Sequence, residues 1–228
     1  MGGLRCYGDE LAVVTVGRRG AEIVAPGGTE SLRLTEELGR PAVVNRAIAS
    51  LDPTIGWVAV LDPGIEWAPG ALDVLRKAAG PRAGLLGPTL LGPARIQLPS
   101  CGPLPVLGAL LRGRVSAGPV VAGPIGWLDG SCVLVRRQAW DSVNGYDSRY
   151  AGTGIHPEPA DVDLGDRLGR AGWLVVGVPD SEAVVHPMER QGILDVRGPE
   201  SRGEGLRRYV RDRYRAPART LMALARRG

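Results

Sequence analysis

The feature that most constrains the fold is an apolar run, Trp57-Val-Ala-Val-Leu61, which ends directly at Asp62-Pro63-Gly64. Five consecutive apolar residues followed by turn-forming residues predict a buried strand of an α/β sheet. Open α/β sheets bind their ligands at the carboxyl ends of their strands, so Asp62 is a candidate ligand-binding residue. A plain Asp-Pro-Gly turn is the alternative explanation of this segment.

Strand-like apolar runs alternate with helical patterns along the chain, which predicts an α/β sandwich. The predicted strands cover residues 11–16, 21–25, 57–61, 83–87, 127–135, 173–178 and 183–186, and the predicted helices cover 41–51, 69–79, 136–143, 160–171 and 205–215. Only four residues separate the first two strands, so they either pair as a hairpin or have lost a connecting helix. Thr29 or Ser31 is expected to cap a helix that runs toward Leu38. Residues 88–126 are rich in Pro and Gly and are expected to be irregular, with one short helix at 106–111.

Positive charge is concentrated at the C-terminal end of the chain. Residues 197–228 hold ten Arg against three acidic residues, although the whole chain has a net charge of only +4. We therefore predict one domain over residues 1–195 and a basic helical tail over 196–228, which would meet an anionic surface. No aromatic interleaving or binding motif accompanies the Arg residues, so nucleic acid is not an expected partner.

Other sequence signals narrow the class of protein. The three Cys show no C-x-x-C spacing, which argues against a zinc ribbon and fits a reducing cytoplasm. No apolar segment of signal-peptide or membrane-spanning type is visible, so a cytoplasmic location is expected. Motifs of serine hydrolases, P-loop NTPases, zincins and Rossmann dehydrogenases are absent from the sequence.

Three acidic residues crowd the start of the helix predicted at 160–171: Asp161, Asp163 and Asp166. Asp161 and Asp163 point about 200° apart on a helix, so one is expected to line a cleft and the other to be solvated. Charge complementing the helix dipole is the alternative explanation. His186 ends a predicted strand and is either a metal or phosphate contact or a structural residue.

Several separated blocks occur in an order that resembles the family-2 glycosyltransferases of the GT-A fold, and most of all the actinobacterial rhamnosyltransferases of cell-wall linker synthesis. The blocks are Gly39-Arg-Pro-Ala-Val-Val-Asn-Arg46, residues 57–64, residues 69–73, residues 83–88, residues 126–140, Gly145-Tyr-Asp147, residues 161–173 and His186. The resemblance covers about residues 39–215, and it implies a GT-A-like three-layer sandwich with a mixed, mostly parallel central sheet.

The resemblance implies an inverting transfer from a nucleotide-diphospho-sugar to a hydroxyl of a glycan or polyprenyl-diphosphate-linked acceptor. Asp161 is then the general base, and Asp62 and His186 are the ligands of a divalent cation, Mg²⁺ or Mn²⁺. Donor and cofactor binding is assigned to the residues Asn45, Asp62, Asp129 and Gly130. The carboxylates of Asp62 and Asp161 are expected to converge on one crevice. The basic tail adds the inner face of the cell membrane as an expected peripheral location.

The chain departs from the family pattern at four points, one of which is the reduction of the helix that normally joins the first two strands to Gly17-Arg-Arg-Gly20. Gly64 stands where the D-x-D motif has its second Asp, and Ala160 stands where an acid precedes the base. The strand-end Asp on the nucleotide side has become Ala25-Pro26. These losses leave open an alternative function, a catalytically degenerate GT-A-like domain that binds a sugar-lipid or a partner protein. Asp129 or Glu66 is the candidate replacement ligand for the cation.

Overall fold

The computed structural model describes residues 10–17, 20–25, 28–33, 39–111, 115–150, 158–186 and 202–214. The strands are β1 (Glu10–Gly17), β2 (Gly20–Ala25), β3 (Gly28–Arg33), β4 (Ile55–Leu61), β5 (Ile65–Trp67), β6 (Ala83–Leu91), β7 (Cys101–Gly102), β8 (Gly123–Ile125), β9 (Trp127–Leu128), β10 (Cys132–Arg136) and β11 (Leu174–Val185). The α-helices are α1 (Arg40–Ser50), α2 (Ala71–Ala78), α3 (Leu107–Leu111), α4 (Arg137–Ser142), α5 (Pro159–Arg170) and α6 (Arg202–Arg213). Single 3₁₀ turns lie at Pro93–Arg95 and Ser148–Tyr150. His156 and Cys6 lie outside the described residues.

The central sheet is mixed, as predicted. Its strand order is β3-β2-β1-β4-β10-β6-β11-β5, with β8 paired to β11, and a separate two-stranded sheet joins β7 to β9. Strands β1, β4, β6 and β11 point the same way, because β1–β4 and β6–β11 are parallel and β10 runs antiparallel between β4 and β6. The edges of the sheet are built from antiparallel strands.

Side chains alternate between two cores on opposite faces of the sheet, which gives three layers. One core contains Val14 and Val60 from the sheet together with apolar side chains of α1, α4 and α5. The other contains Trp57 and Ala59 together with Leu75 of α2. The three-layer α/β sandwich predicted from the sequence is therefore confirmed.

The first two strands form a hairpin, which settles the alternative that the sequence left open. β1 and β2 pair antiparallel up to Gly17 opposite Gly20. The helix expected after Thr29 is wrong within the described residues, because 28–33 form β3, which pairs antiparallel with β2. A strand adjacent in the chain satisfies the outer backbone groups of β2, and this outweighs the capping tendency of Thr and Ser.

Two other boundaries differ from the predictions. The run 127–135 is two strands in different sheets, because the Asp129 Oδ1 accepts a 2.9 Å hydrogen bond from the Ser131 N–H and closes a turn between them. The strands predicted at 173–178 and 183–186 are one strand, β11, with an irregularity in its pairing to β6 between Val178 and Glu182. Within 88–126, the short helix α3 is confirmed and β6 extends to Leu91.

The C-terminal helix α6 packs against α5. Its Tyr209 is 2% exposed and belongs to the same core as α1 and α5. Arg213 lies 2.9 Å from the buried carboxylate of Asp166 on α5. Residues 202–214 are thus joined to the sandwich, while the division at residue 195 stays a prediction. Among the described residues, no helix is both long and apolar enough to cross a bilayer.

Candidate active site

The candidate site lies where β4 ends and β10 begins. The two strands are antiparallel, with Cys132 opposite Leu61, so the turn before β10 must lie beside Asp62. The backbone N–H of Asp62 donates a 2.8 Å hydrogen bond to the Ser131 carbonyl, which fixes this arrangement. The carboxyl end of a buried strand therefore carries the acidic residue that the sequence singles out.

Arg40, the first residue of α1, reaches into this edge of the sheet. Its Nε lies 2.6 Å from the Asp62 Oδ1, and its Nη2 donates to the Gly130 carbonyl. Its Nη1 lies 3.4 Å from the Tyr146 hydroxyl, and the guanidinium carbon is 5.7 Å from the centre of the Tyr146 ring. One side chain thus joins the start of α1, the end of β4, the β9–β10 turn and the loop after α4.

Asp161 sits in the first turn of α5 and receives a 2.8 Å hydrogen bond from the Tyr146 hydroxyl. Its side chain contacts Tyr146, and Tyr146 contacts Arg40, which binds Asp62. The two carboxylates therefore belong to one network, Asp62–Arg40–Tyr146–Asp161. The open hollow expected between them is not what the structure shows, because Arg40 and Tyr146 occupy the space that links them.

Burial raises the pKa of the Asp161 carboxyl from 3.8 to about 7. The positive charge of Arg40 acts in the opposite direction, and the nearby negative charge of Asp129 adds to the rise. A carboxylate with a pKa near neutrality is well matched to accepting a proton from a hydroxyl at physiological pH. Asp161 therefore has the ionisation behaviour that a general base needs.

The other two acids of α5 have structural partners. Asp163 lies 2.7 Å from Arg167, whose Nη1 donates to the carbonyls of Val143 and Gly145. Asp166 is 2% exposed and pairs with Arg170 and Arg213. The expectation that one of Asp161 and Asp163 is solvated is wrong, because Asp161 is 5% exposed and Asp163 is 8% exposed. Asp161 accepts a hydrogen bond from Tyr146, and Asp163 pairs with Arg167.

Asn45 holds Tyr146 in place. Its Nδ2 donates to the Tyr146 carbonyl at 2.8 Å, and its Oδ1 accepts from the Tyr146 N–H at 2.9 Å. The Tyr146 ring also packs edge-to-face against Trp140, with centroids 5.2 Å apart. Asn45 therefore supports the residue that binds Asp161, and its contact with a donor stays a prediction.

Asp129 and Gly130 form the tight turn beside the network. Asp129 is buried and holds the Ser131 N–H, as described above. A Cβ at Gly130 would overlap both the Tyr146 hydroxyl and the Asp161 carboxylate. Gly130 is therefore required sterically for the Tyr146–Asp161 contact, and direct donor contacts of Asp129 and Gly130 stay predictions.

His186 follows β11 and comes close to the Asp62-Pro63-Gly64 turn. Pairing of β11 with β5 brings its N–H within 2.7 Å of the Gly64 carbonyl. Its Nε2 lies 3.6 Å from the Glu66 carboxylate, and 48% of its side chain is exposed. His186 therefore lies at the same edge of the sheet as the Asp62-Pro63-Gly64 turn. Its role as a metal ligand stays a prediction.

The residues at this edge do not fit the cation site that the family pattern implies. The Asp62 Oδ1 is already bound to a guanidinium, and position 64 offers no side-chain oxygen. Gly64 has φ of 76°, a left-handed conformation in which an Asp would be strained. In the part of the chain that the structure describes, no three His, Cys, Asp or Glu side chains are grouped to hold a metal ion.

Sequence reasoning gave no role to Arg40 or Tyr146, the two residues that connect the carboxylates. Both lie inside blocks that carry the family resemblance, next to Pro41 and Gly145. For Arg40, the available signal was its place in the Gly39-Arg40-Pro41 helix start. No local pattern distinguishes Tyr146 from a core aromatic residue.

The strand order gives a mixed α/β sandwich, the architecture that the sequence resemblance implies. The chain is 40% identical over 185 residues to the N-acetylglucosaminyl-diphospho-decaprenol L-rhamnosyltransferases of two Mycobacterium tuberculosis strains, CDC 1551 / Oshkosh and ATCC 25618 / H37Rv. The match takes in 68% of this chain and 58% of each relative, so the chain spans somewhat more than half the length of these relatives. The resemblance predicted from the sequence is confirmed: the chain is related to these rhamnosyltransferases. No family model matches it.

Similarity to solved structures is low. The catalytic domain of Drosophila β1,4-galactosyltransferase 7 with xylobiose is 17% identical, with a TM-score of 0.38 over 61% of this chain and 45% of that one. GalNAc-T7 with UDP, GalNAc and Mn²⁺ is 12% identical, with a TM-score of 0.49 over 68% of this chain and 31% of that one. The fold assignment rests on the strand order and the sequence relatives instead.

Proposed function

We propose that this chain is an inverting glycosyltransferase that moves a sugar from a nucleotide-diphospho-sugar to the hydroxyl of a lipid-linked or other glycan acceptor. The observation that carries the proposal is the buried Asp161 carboxylate, whose pKa lies at about 7 and whose Oδ1 is held by Tyr146. The relationship to enzymes named as rhamnosyltransferases supports the same reaction class and makes rhamnose the candidate sugar.

Asp161 would take the proton of the acceptor hydroxyl as its oxygen attacks the anomeric carbon. Burial favours this role, because a desolvated carboxylate is a stronger base than an exposed one. The Tyr146 hydroxyl and the Gly130 backbone N–H both donate hydrogen bonds to this carboxylate. These hydrogen bonds fix the orientation of the carboxylate, so the base is positioned before the acceptor arrives.

The donor diphosphate would bind beside Asp62 and Arg40, at the carboxyl edge of β4. The side chains of these two residues are 12% and 15% exposed, so a ligand has access to the ion pair from this edge. Mg²⁺ or Mn²⁺ stays a sequence-based prediction and supplies no step here, because the arrangement of donor atoms described above does not fit it.

The lipid-linked acceptor is supported by the relatives and by the basic C-terminal residues. The relatives are named for a diphospho-decaprenol acceptor, so a polyprenyl-diphosphate-linked glycan is the proposed acceptor class for this chain. Arginines near an anionic bilayer surface each contribute about 1 kcal/mol of binding. We propose that the basic region over residues 197–228 brings the protein to an anionic membrane surface at the inner face of the cell membrane.

One observation favours a second candidate function, a binding module without catalysis. The antiparallel hairpin of β1 and β2 stands where the family has a helical crossover on the nucleotide side. Such a domain would still bind a sugar-lipid or a partner protein. It differs from the enzyme in one measurable respect, since it would bind without turning over any donor.

The experiment that tests the proposal is a donor panel. The full chain is incubated with a set of nucleotide-diphospho-sugars, dTDP-rhamnose among them, and with a polyprenyl-diphosphate-linked N-acetylglucosamine acceptor. Release of nucleoside diphosphate and growth of the acceptor are measured in parallel, and reactions without acceptor serve as the control. Acceptor-dependent release with one donor supports the transferase; no release with any donor, combined with binding of the acceptor, supports the binding module.

A further inference from the structure

We infer that the Arg40 guanidinium binds the donor diphosphate and supplies the positive charge that the sequence-based prediction assigned to a divalent cation. This inference rests on the proposed glycosyltransferase function. It starts from the disagreement at the end of β4, where one carboxylate is paired with an arginine and the second carboxylate position is a glycine.

The position of Arg40 is fixed by its neighbours. The preceding Gly39 is the N-cap of α1 and Pro41 is preorganised for its first turn, so the Arg40 backbone is held at the start of a helix whose Val43 and Val44 are fully buried. The side chain is then held by the Asp62 carboxylate and the Gly130 carbonyl. A cation held at three points needs little reorganisation when an anion arrives.

The charge of Arg40 is permanent. Burial alone lowers the pKa of Arg40, but its acidic neighbours, with Asp62 contributing most, raise it well above the ordinary value. A guanidinium carries five N–H donors. The described contacts use three of them, on the Asp62 carboxylate, the Gly130 carbonyl and the Tyr146 hydroxyl. The remaining N–H groups of both terminal nitrogens are suited to two oxygens of a phosphate group.

The chemistry needs a positive charge at this place. The bond between the anomeric carbon and the diphosphate oxygen breaks, its electron pair passes to that oxygen, and the acceptor oxygen bonds to the anomeric carbon. The acceptor proton goes to Asp161. Negative charge thus grows on the leaving diphosphate, and a fixed guanidinium beside it stabilises the transition state more than the ground state. Arg40 also links this end of the site to Asp161 through Tyr146.

The test is calorimetric binding of dTDP and UDP to the full chain, with EDTA and separately with Mn²⁺. Arg40→Gln removes the charge, and the double variant Arg40→Gln/Asp62→Asn removes both members of the pair, so that no unpaired carboxylate complicates folding. Arg46→Ala is the matched control, since Arg46 lies on the same helix and is exposed. Melting curves establish that each variant is folded.

Wild-type protein and Arg46→Ala should bind the nucleoside diphosphate equally in EDTA and in Mn²⁺. Both Arg40 variants should bind it at least about tenfold more weakly under either condition, the loss expected for one charge-assisted contact. Binding that requires Mn²⁺, or unchanged binding by the Arg40 variants, would overturn the inference.

Turnover in the donor panel separates this inference from the proposed transferase function. Turnover that needs a metal keeps the transferase and removes the role of Arg40. If nucleoside diphosphate binding depends on Arg40 and needs no metal, but no donor is turned over, then Arg40 keeps its role in anion binding. The proposed transferase function then fails.

Discussion

The Tyr146 hydroxyl donates a 2.8 Å hydrogen bond to the Asp161 Oδ1, and both side chains are buried. Tyr146 reaches this position because its backbone is bound on both sides by the Asn45 amide and its ring is packed against Trp140. Tyr146 is therefore a positioning residue, which acts on the acceptor only through the carboxylate that it orients.

Replacing Tyr146 with Phe should move the acid limb of the rate–pH profile to higher pH. The hydroxyl donates to the ionised carboxylate, so its loss destabilises that form and raises the pKa of Asp161 beyond its value of about 7. The wild-type rate should rise with pH through about 7, because the base works only when ionised. The measurement is kcat/KM against pH. Tyr150→Phe is the control, since the Tyr150 hydroxyl faces Asp212 instead. An acid limb of the rate–pH profile that stays at the wild-type pH in Tyr146→Phe would exclude the positioning role.

Replacing Gly130 with Ala should abolish most of the turnover. The added methyl group would overlap the Tyr146 hydroxyl and the Asp161 carboxylate, so the two must separate. Gly169→Ala is the control, because a Cβ there meets no atom within 4 Å and should stabilise α5 by about 0.5–1 kcal/mol. Turnover and melting temperature are measured for both variants. Full activity in Gly130→Ala would mean that the contact is not needed for catalysis.

Replacing Tyr209 with Ala should lower the free energy of unfolding by about 3 kcal/mol, as for other large aromatic residues removed from a core. Tyr209 is 2% exposed and packs from α6 into the core that contains α1 and α5. Denaturant unfolding measures the change. Tyr214→Ala is the control, since Tyr214 is only partly buried at the end of the same helix. A change within the range of a surface substitution would show that α6 does not contribute to the fold.

Replacing Arg215, Arg219, Arg226 and Arg227 together with Gln should release the protein from anionic vesicles without changing its melting temperature. These residues follow α6, so the substitution leaves the buried Tyr209 in place, which a truncation from residue 203 would not. Cosedimentation with vesicles of phosphatidylglycerol measures binding, and neutral phosphatidylcholine vesicles are the control. Binding that persists at the wild-type level would remove the tail from the membrane proposal.

The sequence predicted those parts of the fold that are set by local pattern. The apolar run at 57–61 and the helix start at Pro41 were placed correctly because burial and helix-start preferences act within a few residues. β3 was missed because pairing with β2, and not local propensity, makes residues 28–33 extended. The break at Asp129 was missed because an Asx turn inside an apolar run has no distinct apolar signature.

The site was predicted in part. Asp62 and Asp161 were identified because family blocks surround them, and the structure joins them through two intervening side chains. Arg40 and Tyr146 were missed because their roles depend on contacts between residues 15 to 106 positions apart, which no spacing rule reveals. The burial of Asp163 was missed because its partner, Arg167, also binds carbonyls from a distant loop.

The most direct test of the account is the turnover of Asp161→Asn in the donor and acceptor assay, with Asp163→Asn as the matched substitution on the same helix. Loss of the base should reduce kcat by about 10²–10⁴-fold, while Asp163→Asn should keep its turnover and lose only stability. The raised pKa of Asp161 means that the folded protein holds a proton which the unfolded chain releases near pH 3.8, so stability falls as pH rises toward about 7. Asp161→Asn should therefore melt at or above the wild-type temperature at neutral pH, which rules out unfolding as the cause of lost activity. Wild-type turnover in a folded Asp161→Asn protein would contradict the account.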